Sequence, residues 1–212
     1  MVILKEIDTS KDVLHLVKVW YIYGEEPIVT VPSELEKLAK KLHEEKDPTA
    51  DQALSLIWRE CKEYLDKIGY ADDRFRERRN LIFSKDVPSG VESDEKTDYS
   101  KLKNLTTLDT LHASASVSVS DNKIVSAALA HFCEDGVYEI CTETAPAYRG
   151  RGYASENVTS LSDRLIRKGK TVRYLCSEKN EASKKVALSA GFVEVGKSYE
   201  YIVRRKENKN GI

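Results

Sequence analysis

The segment that most constrains the fold is Thr144-Ala145-Pro146-Ala147-Tyr148-Arg149-Gly150-Arg151-Gly152-Tyr153-Ala154. It follows a strand-like run from Val137 to Glu143 and opens a helix-like run from Ser155 to Lys168. Gly150 and Gly152 lack a Cβ, so the backbone there can bend sharply and approach a ligand closely. The unpaired N–H groups of the helix start point toward an anion, and the helix dipole favours its charge. Arg149 and Arg151 add positive charge. A strand, a Gly- and Arg-rich loop and a helix in this order form a cradle for a phosphate- or pyrophosphate-bearing ligand. The plainer alternative is a tight strand-to-helix turn.

With 212 residues the chain can bury a full core, and one domain with an elaboration is expected. The net charge of −1 gives no electrostatic argument for a nucleic-acid or membrane partner. Four cysteines stand at positions 61, 133, 141 and 176, with neither zinc-knuckle nor CxxC spacing. Reduced thiols in a cytoplasmic protein are the simplest reading. The four histidines are scattered along the chain, so no metal is expected. The start lacks a basic region followed by an apolar run, so no signal peptide is expected. No apolar run approaches the roughly 20 residues of a membrane span.

The first half reads as mostly helical. Val2 to Ile7 alternates as a strand. Asp8-Thr9-Ser10 offers caps for a helix with Val13, Leu16, Val17 and Trp20 on one face, ended by Gly24. Ser33 and Glu36 form a capping box before Leu35, Leu38 and Leu42. Asp47-Pro48 starts the strongest helix, with Leu54, Ile57, Trp58, Cys61, Leu65 and Ile68 on one stripe. Trp20 and Trp58 are expected in the core. The basic cluster from Arg74 to Arg79 is either a salt-bridged surface or a contact for nucleic acid or a ligand phosphate. Leu81 to Ser84 is a short strand, and Lys85 to Lys103 reads as a polar loop.

From Ala113 the pattern becomes strand-rich. Ser114 to Ser120, Ile124 to Phe132 and Val137 to Thr144 form a meander, with turns at Asp121-Asn122 and Asp135-Gly136. The second turn would place Cys133 opposite Tyr138. The loop and a helix follow, with Val158, Leu161, Leu165 and Ile166 facing inward. Thr171 to Cys176 is a strand, and Asn180 to Ala190 a helix capped by Asn180. Phe192 to Val195 and Tyr199 to Val203 are final strands. The class is α/β (α+β): a mixed, mostly antiparallel central sheet flanked by helices, with a helical elaboration in the N-terminal half.

The pattern Arg149-x-x-Gly152-x-Ala154 resembles the acetyl-CoA loop of the GNAT superfamily of N-acetyltransferases. The preceding Pro146-Ala147-Tyr148-Arg149-Gly150 is similar to that family's strand exit. A second block, from Asn180-Glu181-Ala182-Ser183 through Ala190-Gly191-Phe192, resembles the family's following helix. The resemblance implies one GNAT-like domain over residues 1–212, with an acetyl-CoA-binding core over 113–203. The stretch 33–110 would be a helical and loop insertion shaping the acceptor site.

The resemblance further implies that acetyl-CoA lies in a V-shaped opening between the strands ending at Thr144 and near Cys176. The pantetheine arm would pair with the backbone of Thr142, Glu143 and Thr144. The pyrophosphate would rest on Arg149, Gly150, Arg151, Gly152, Tyr153 and Ala154, and Asn180 and Ser183 would line the arm. An amine then attacks the thioester directly. A lysine-like amine has a pKa of about 10.4, so keeping it neutral at pH 7 costs roughly 4–5 kcal/mol. A general base or a desolvating pocket must offset this. Glu139 and Glu143 share one face of their strand and are the candidate bases; a solvated strand face is the alternative.

Many family members carry a Tyr seven residues after the Asn, which protonates the leaving thiolate. Here that position is Ala187, and Tyr199, Tyr201 and Ser183 are the candidate replacements. The main expectation is therefore an N-acetyltransferase using acetyl-CoA without a metal. Its acceptor would be a small-molecule amine, an antibiotic or a protein N-terminus. The chain is expected to be cytoplasmic, a monomer or homodimer, with no nucleic acid or membrane partner. The alternative is a non-catalytic acetyl-CoA or CoA sensor or interaction module, which the missing Tyr keeps open.

Overall fold

The computed structural model describes residues 1–6, 13–45, 47–68, 75–89, 114–133 and 136–204. The caps at Asp8 to Ser10, Arg74, Asp135 and the 85–103 loop beyond Ser89 lie outside these residues. One domain over 1–212 is expected from the sequence. The chain divides into two compact units, Met1–Leu81 with Gly196–Ile212, and Ile82–Val195. The division falls within strands that begin in one unit and end in the other, so it follows neither the 33–110 nor the 113–203 boundary.

In the first unit the strands are β1 (Val2–Lys5), β2 (Val13–Ile22), β3 (Ile28–Pro32), the opening part of β4 (Phe75–Lys85) and most of β9 (Val193–Arg204). Their order is β1-β3-β2-β9-β4, with β1 parallel to β3 and β2 antiparallel to both β3 and β9. The helix expected over Val13 to Trp20 is therefore the ten-residue strand β2. Val13, Leu16, Val17 and Trp20 fit a helical stripe, but Val13–Ile22 is also rich in β-branched and aromatic residues, and exposed His15 stands between buried Leu14 and Leu16. Such a run suits a strand buried on one face. Leu14, Leu16, Val17 and Val19 are all buried. A bulge between His15 and Val17 shifts the register and accommodates two adjacent inward side chains.

The two strands expected over 192–203 are the single strand β9. Gly196, between the two expected strands, sits within it, opposite Ile22. A Cβ added there would lie 2.1 Å from the Tyr21 carbonyl oxygen, so only glycine allows the two backbones this close.

Helices α1 (Glu36–Glu44) and α2 (Asp51–Lys67) cover this unit's core. The Ser33 capping box does not form. Residues 33–35 make a short 3-10 turn, and α1 starts after Leu35 with no side-chain cap. Asp47 accepts from the Thr49 amide at 2.9 Å and forms the turn that leads into α2. Leu54, Ile57, Cys61 and Leu65 are buried as expected, each stabilising by about 1.5–3 kcal/mol. Trp58 is not in the core: it is 46% exposed, with the Lys62 ammonium 5.4 Å from its ring. Ala53 and Tyr64 occupy the buried flanks of the stripe instead. Trp20 is half-buried on a strand, under Lys18. Within the basic cluster, Arg79 pairs with Asp51 and Glu77, and Arg78 with Glu200, which is the salt-bridged alternative.

The second unit holds the end of β4, then β5 (Ser114–Ser120), β6 (Lys123–Phe132), β7 (Tyr138–Thr144) and β8 (Val172–Ser177), in the order β4-β8-β7-β6-β5. Strands β5, β6 and β7 form the expected antiparallel meander, and β8 runs parallel to β7. Asp121 and Asn122 both take positive φ, as a two-residue hairpin turn requires. In the next hairpin Cys133 bonds to the Val137 carbonyl and Phe132 pairs with Tyr138, so Cys133 is not opposite Tyr138. All four cysteines are free thiols.

Helix α3 (Tyr153–Arg167) packs across this sheet through Val158, Leu161 and Leu165. Helix α4 (Glu181–Ser189) follows β8. Lys85 is the last residue of β4 and not part of a loop. Its ammonium is buried against the Asp163 carboxylate of α3 and donates to the Ala190 carbonyl at 2.8 Å and the Ser89 hydroxyl at 2.7 Å. The Ser89 amide donates to the other Asp163 oxygen at 2.8 Å.

Candidate active site

The cleft of the second unit begins where β7 and β8 part. Their parallel ladder pairs Tyr138 with Val172, Glu139 with Arg173 and Ile140 with Tyr174, and ends there. Strand β7 continues to Thr144 and β8 to Ser177. Two parallel strands that diverge after three pairs leave an opening between their C-terminal ends. Loop and helix termini then close around it.

Pro146–Tyr148 forms one 3-10 turn after β7. Gly150 and Gly152 follow with φ of 75° and 87°, a left-handed conformation that L side chains rarely adopt. Gly152 is the N-cap of α3, so the first N–H groups of a 15-residue helix face the loop without a side-chain cap. Arg149 and Arg151 fold back on the loop. Arg149 donates to the Thr144 carbonyl at 3.0 Å, and Arg151 to the Ala147 carbonyl at 3.2 Å while stacking on Tyr148. The guanidinium groups therefore fix the turn as well as charging it.

The other wall comes from β8 and α4. Asn180 caps α4 by accepting from the Ser183 amide at 3.1 Å. The Ser183 hydroxyl lies 2.8 Å from the Tyr174 hydroxyl. Tyr174 is almost fully buried; burial pushes its phenol pKa up, and the Ser183 hydrogen bond opposes this in part.

These walls enclose a cleft of about 560 Å³, within the usual range for small-ligand sites of roughly 300–1,000 Å³. The sequence-derived ligand residues all line it: Thr142 to Thr144, Arg149 to Ala154, Asn180 and Ser183. Of the two candidate bases, Glu143 lines the cleft. Glu139 lies outside the lining and pairs with Arg173 at 3.0 Å. Tyr174, Tyr148 and Lys185 line it without having been singled out. Tyr174 was legible only as the middle of the alternating buried run Val172, Tyr174, Cys176 on β8. Which way that face looks depends on the sheet.

The candidates for the missing Tyr separate. Ala187 is fully buried and does not line the cleft. Tyr199 and Tyr201 are fully buried in the core of the first unit. Of the three proposed replacements, Ser183 alone lines the cleft. No described helix is long and apolar enough to cross a membrane.

Residues 112–202 match the model of the GNAT acetyltransferase family. No curated protein matches the chain by sequence. Among solved structures, a putative GNAT-family acetyltransferase from Novosphingobium aromaticivorans matches with a TM-score of 0.51 and 16% identity, covering 62% of this chain and 66% of its own. A Drosophila protein matches with a TM-score of 0.51 and 11% identity, covering 69% of this chain and 56% of its own. The chain thus spans less than two thirds of the length of either. The diverging parallel strands and the twin-glycine turn agree with the match of residues 112–202 to the GNAT acetyltransferase family.

Proposed function

We propose that the chain transfers an acetyl group from acetyl-CoA to a primary amine by direct attack on the thioester. The observation that carries this reading is the cleft at the β7–β8 divergence, bounded by the uncapped start of α3. Backbone N–H groups at Arg149 to Ala154 would hold the pyrophosphate, and the Thr142 to Thr144 edge would pair with the peptide-like pantetheine arm. Glu143, on the cleft wall, is the base that takes the amine proton. The Ser183 hydroxyl, backed by the Tyr174 phenol, is the proton source for the departing thiolate. A thiolate is a good leaving group, so a weak acid suffices.

Calorimetric titration with acetyl-CoA, with ATP and NAD as controls, tests the ligand. Selective micromolar binding supports the reading, and a folded sample that does not bind refutes it. An amine screen with thiol-release readout then tests chemistry. Binding without turnover of any amine would favour the sensor or interaction module. Glu143→Gln should leave acetyl-CoA affinity intact and lower turnover by about 10²–10⁴-fold. Equal rates across pH 6–9 would remove Glu143 as the base.

A further inference from the structure

We propose a binding site for a zinc-class divalent cation on the β6–β7 hairpin, formed by His131, Cys133 and Glu139. The histidines are scattered along the chain, and from sequence no metal is expected. Strand pairing gathers the three donors. His131 stands directly opposite Glu139 in the β6–β7 ladder. Cys133 lies two residues beyond His131, so the strand period turns both toward the same face. One ligand atom from each, imidazole nitrogen, thiol sulfur and carboxylate oxygen, lies within 4.8 Å of the other two. His131 Nε2 is 3.7 Å from Glu139 Oε1.

Those separations suit a tetrahedral ion. Zinc bonds of about 2.0–2.3 Å set neighbouring ligand atoms roughly 3.3–3.6 Å apart, so side-chain rotations of about 1 Å close the site. The second carboxylate oxygen is already held: Arg173 Nε donates to Glu139 Oε2 at 3.0 Å. A metal on Oε1 therefore leaves this bond in place, and Arg173 orients the ligating carboxylate. The donor set selects the ion. A thiolate and an imidazole favour Zn²⁺ and Co²⁺ over Mg²⁺ or Ca²⁺, which require oxygen ligands. Three protein ligands leave a fourth position for water or a small anion. On binding, the Cys133 thiol loses its proton to solvent. None of the three side chains lines the acyl-transfer cleft, so the site is independent of the proposed reaction.

Cobalt(II) is the probe, titrated into tag-free, reduced, chelator-treated full chain. The expected result is one equivalent producing a thiolate-to-cobalt charge-transfer band with the intense visible absorption of a tetrahedral ion, bleached by Zn²⁺. Cys133→Ser should abolish the charge-transfer band, while Cys141→Ala should keep it. His131→Ala and Glu139→Gln should each weaken binding by at least about tenfold, and Arg173→Leu, acting through Glu139, by about 10–100-fold. Circular dichroism matching wild type confirms that each variant is folded. Absence of the band at stoichiometric cobalt, or its survival in Cys133→Ser, would overturn the site.

Discussion

The two units solve the burial problem differently. The first packs two helices onto its strands and holds the larger apolar cluster, with Tyr199 and Tyr201 sealed inside it. The second puts buried polar groups under its single long helix: Asn157, Ser162 and Asp163 all lie on the inner side of α3. Asn157 accepts from the Ser116 hydroxyl at 3.1 Å and donates to the Ser118 hydroxyl at 3.0 Å, while Asp163 meets Lys85. An apolar core tolerates small shifts; a satisfied polar network fixes one arrangement. The helix that presents its N-terminus to the cleft is the one held by such a network.

The largest expected effect tests that network. Asp163→Ala leaves the Lys85 ammonium buried without its carboxylate and should cost about 3–5 kcal/mol, seen in denaturant unfolding. The double substitution Lys85→Met, Asp163→Leu should recover most of the loss; no recovery would mean that the serine and carbonyl contacts carry the stability. Next is the loop. Gly152→Glu combines a left-handed backbone, a Cβ facing Glu156 at 3.6 Å and a charge that repels phosphate. It should weaken acetyl-CoA binding at least about 100-fold, or roughly 2.7 kcal/mol. Binding within a factor of a few of wild type would detach the loop from the ligand.

In the first unit the weak point is a backbone contact. Gly196→Ala forces its methyl against the Tyr21 carbonyl and should destabilise by about 1–3 kcal/mol, read as a lower denaturation midpoint. A neutral result would mean that β2 and β9 shift apart without cost.

The smallest effect is a pH dependence. Burial pushes the Cys61 thiol up to about 12. An unfolded thiol titrates near 8.5. The folded state therefore holds an extra proton between these values. Its contribution to stability is complete below about pH 8.5 and declines as pH rises toward 12. Burial and the nearby Glu77 charge push Tyr199 in the same direction. Thiol labelling of the native protein at pH 8 should reach half-exposed Cys133 well before Cys61. Equal labelling rates would show that the first core opens readily.

Legibility differed between the units for the same physical reason. In the second, turn chemistry marks each boundary: Asp121-Asn122 at one hairpin, Pro146 and the glycines at the loop, Asn180 as a cap and Gly191 after α4. In the first, β2 carries a run whose period fits both a helix and a bulged strand buried on one face. The choice rested on pairing with β3, which follows closely, and with β9, from residues far along the chain. The close approach of Gly196 to Tyr21 likewise joins residues distant in sequence.

The strand–loop–helix order, the twin-glycine turn and the Asn180 cap, and with them the resemblance to the GNAT acetyltransferases, follow from the sequence, because each is a local demand of the backbone. Tertiary structure alone decided the rest. It sent Tyr199 and Tyr201 to the core and left Ser183 with Tyr174 on the cleft. It also placed Glu143 on the cleft wall while pairing Glu139 with Arg173. Alternation along a strand fixes which residues share a face. Only the packing of other elements fixes what that face meets.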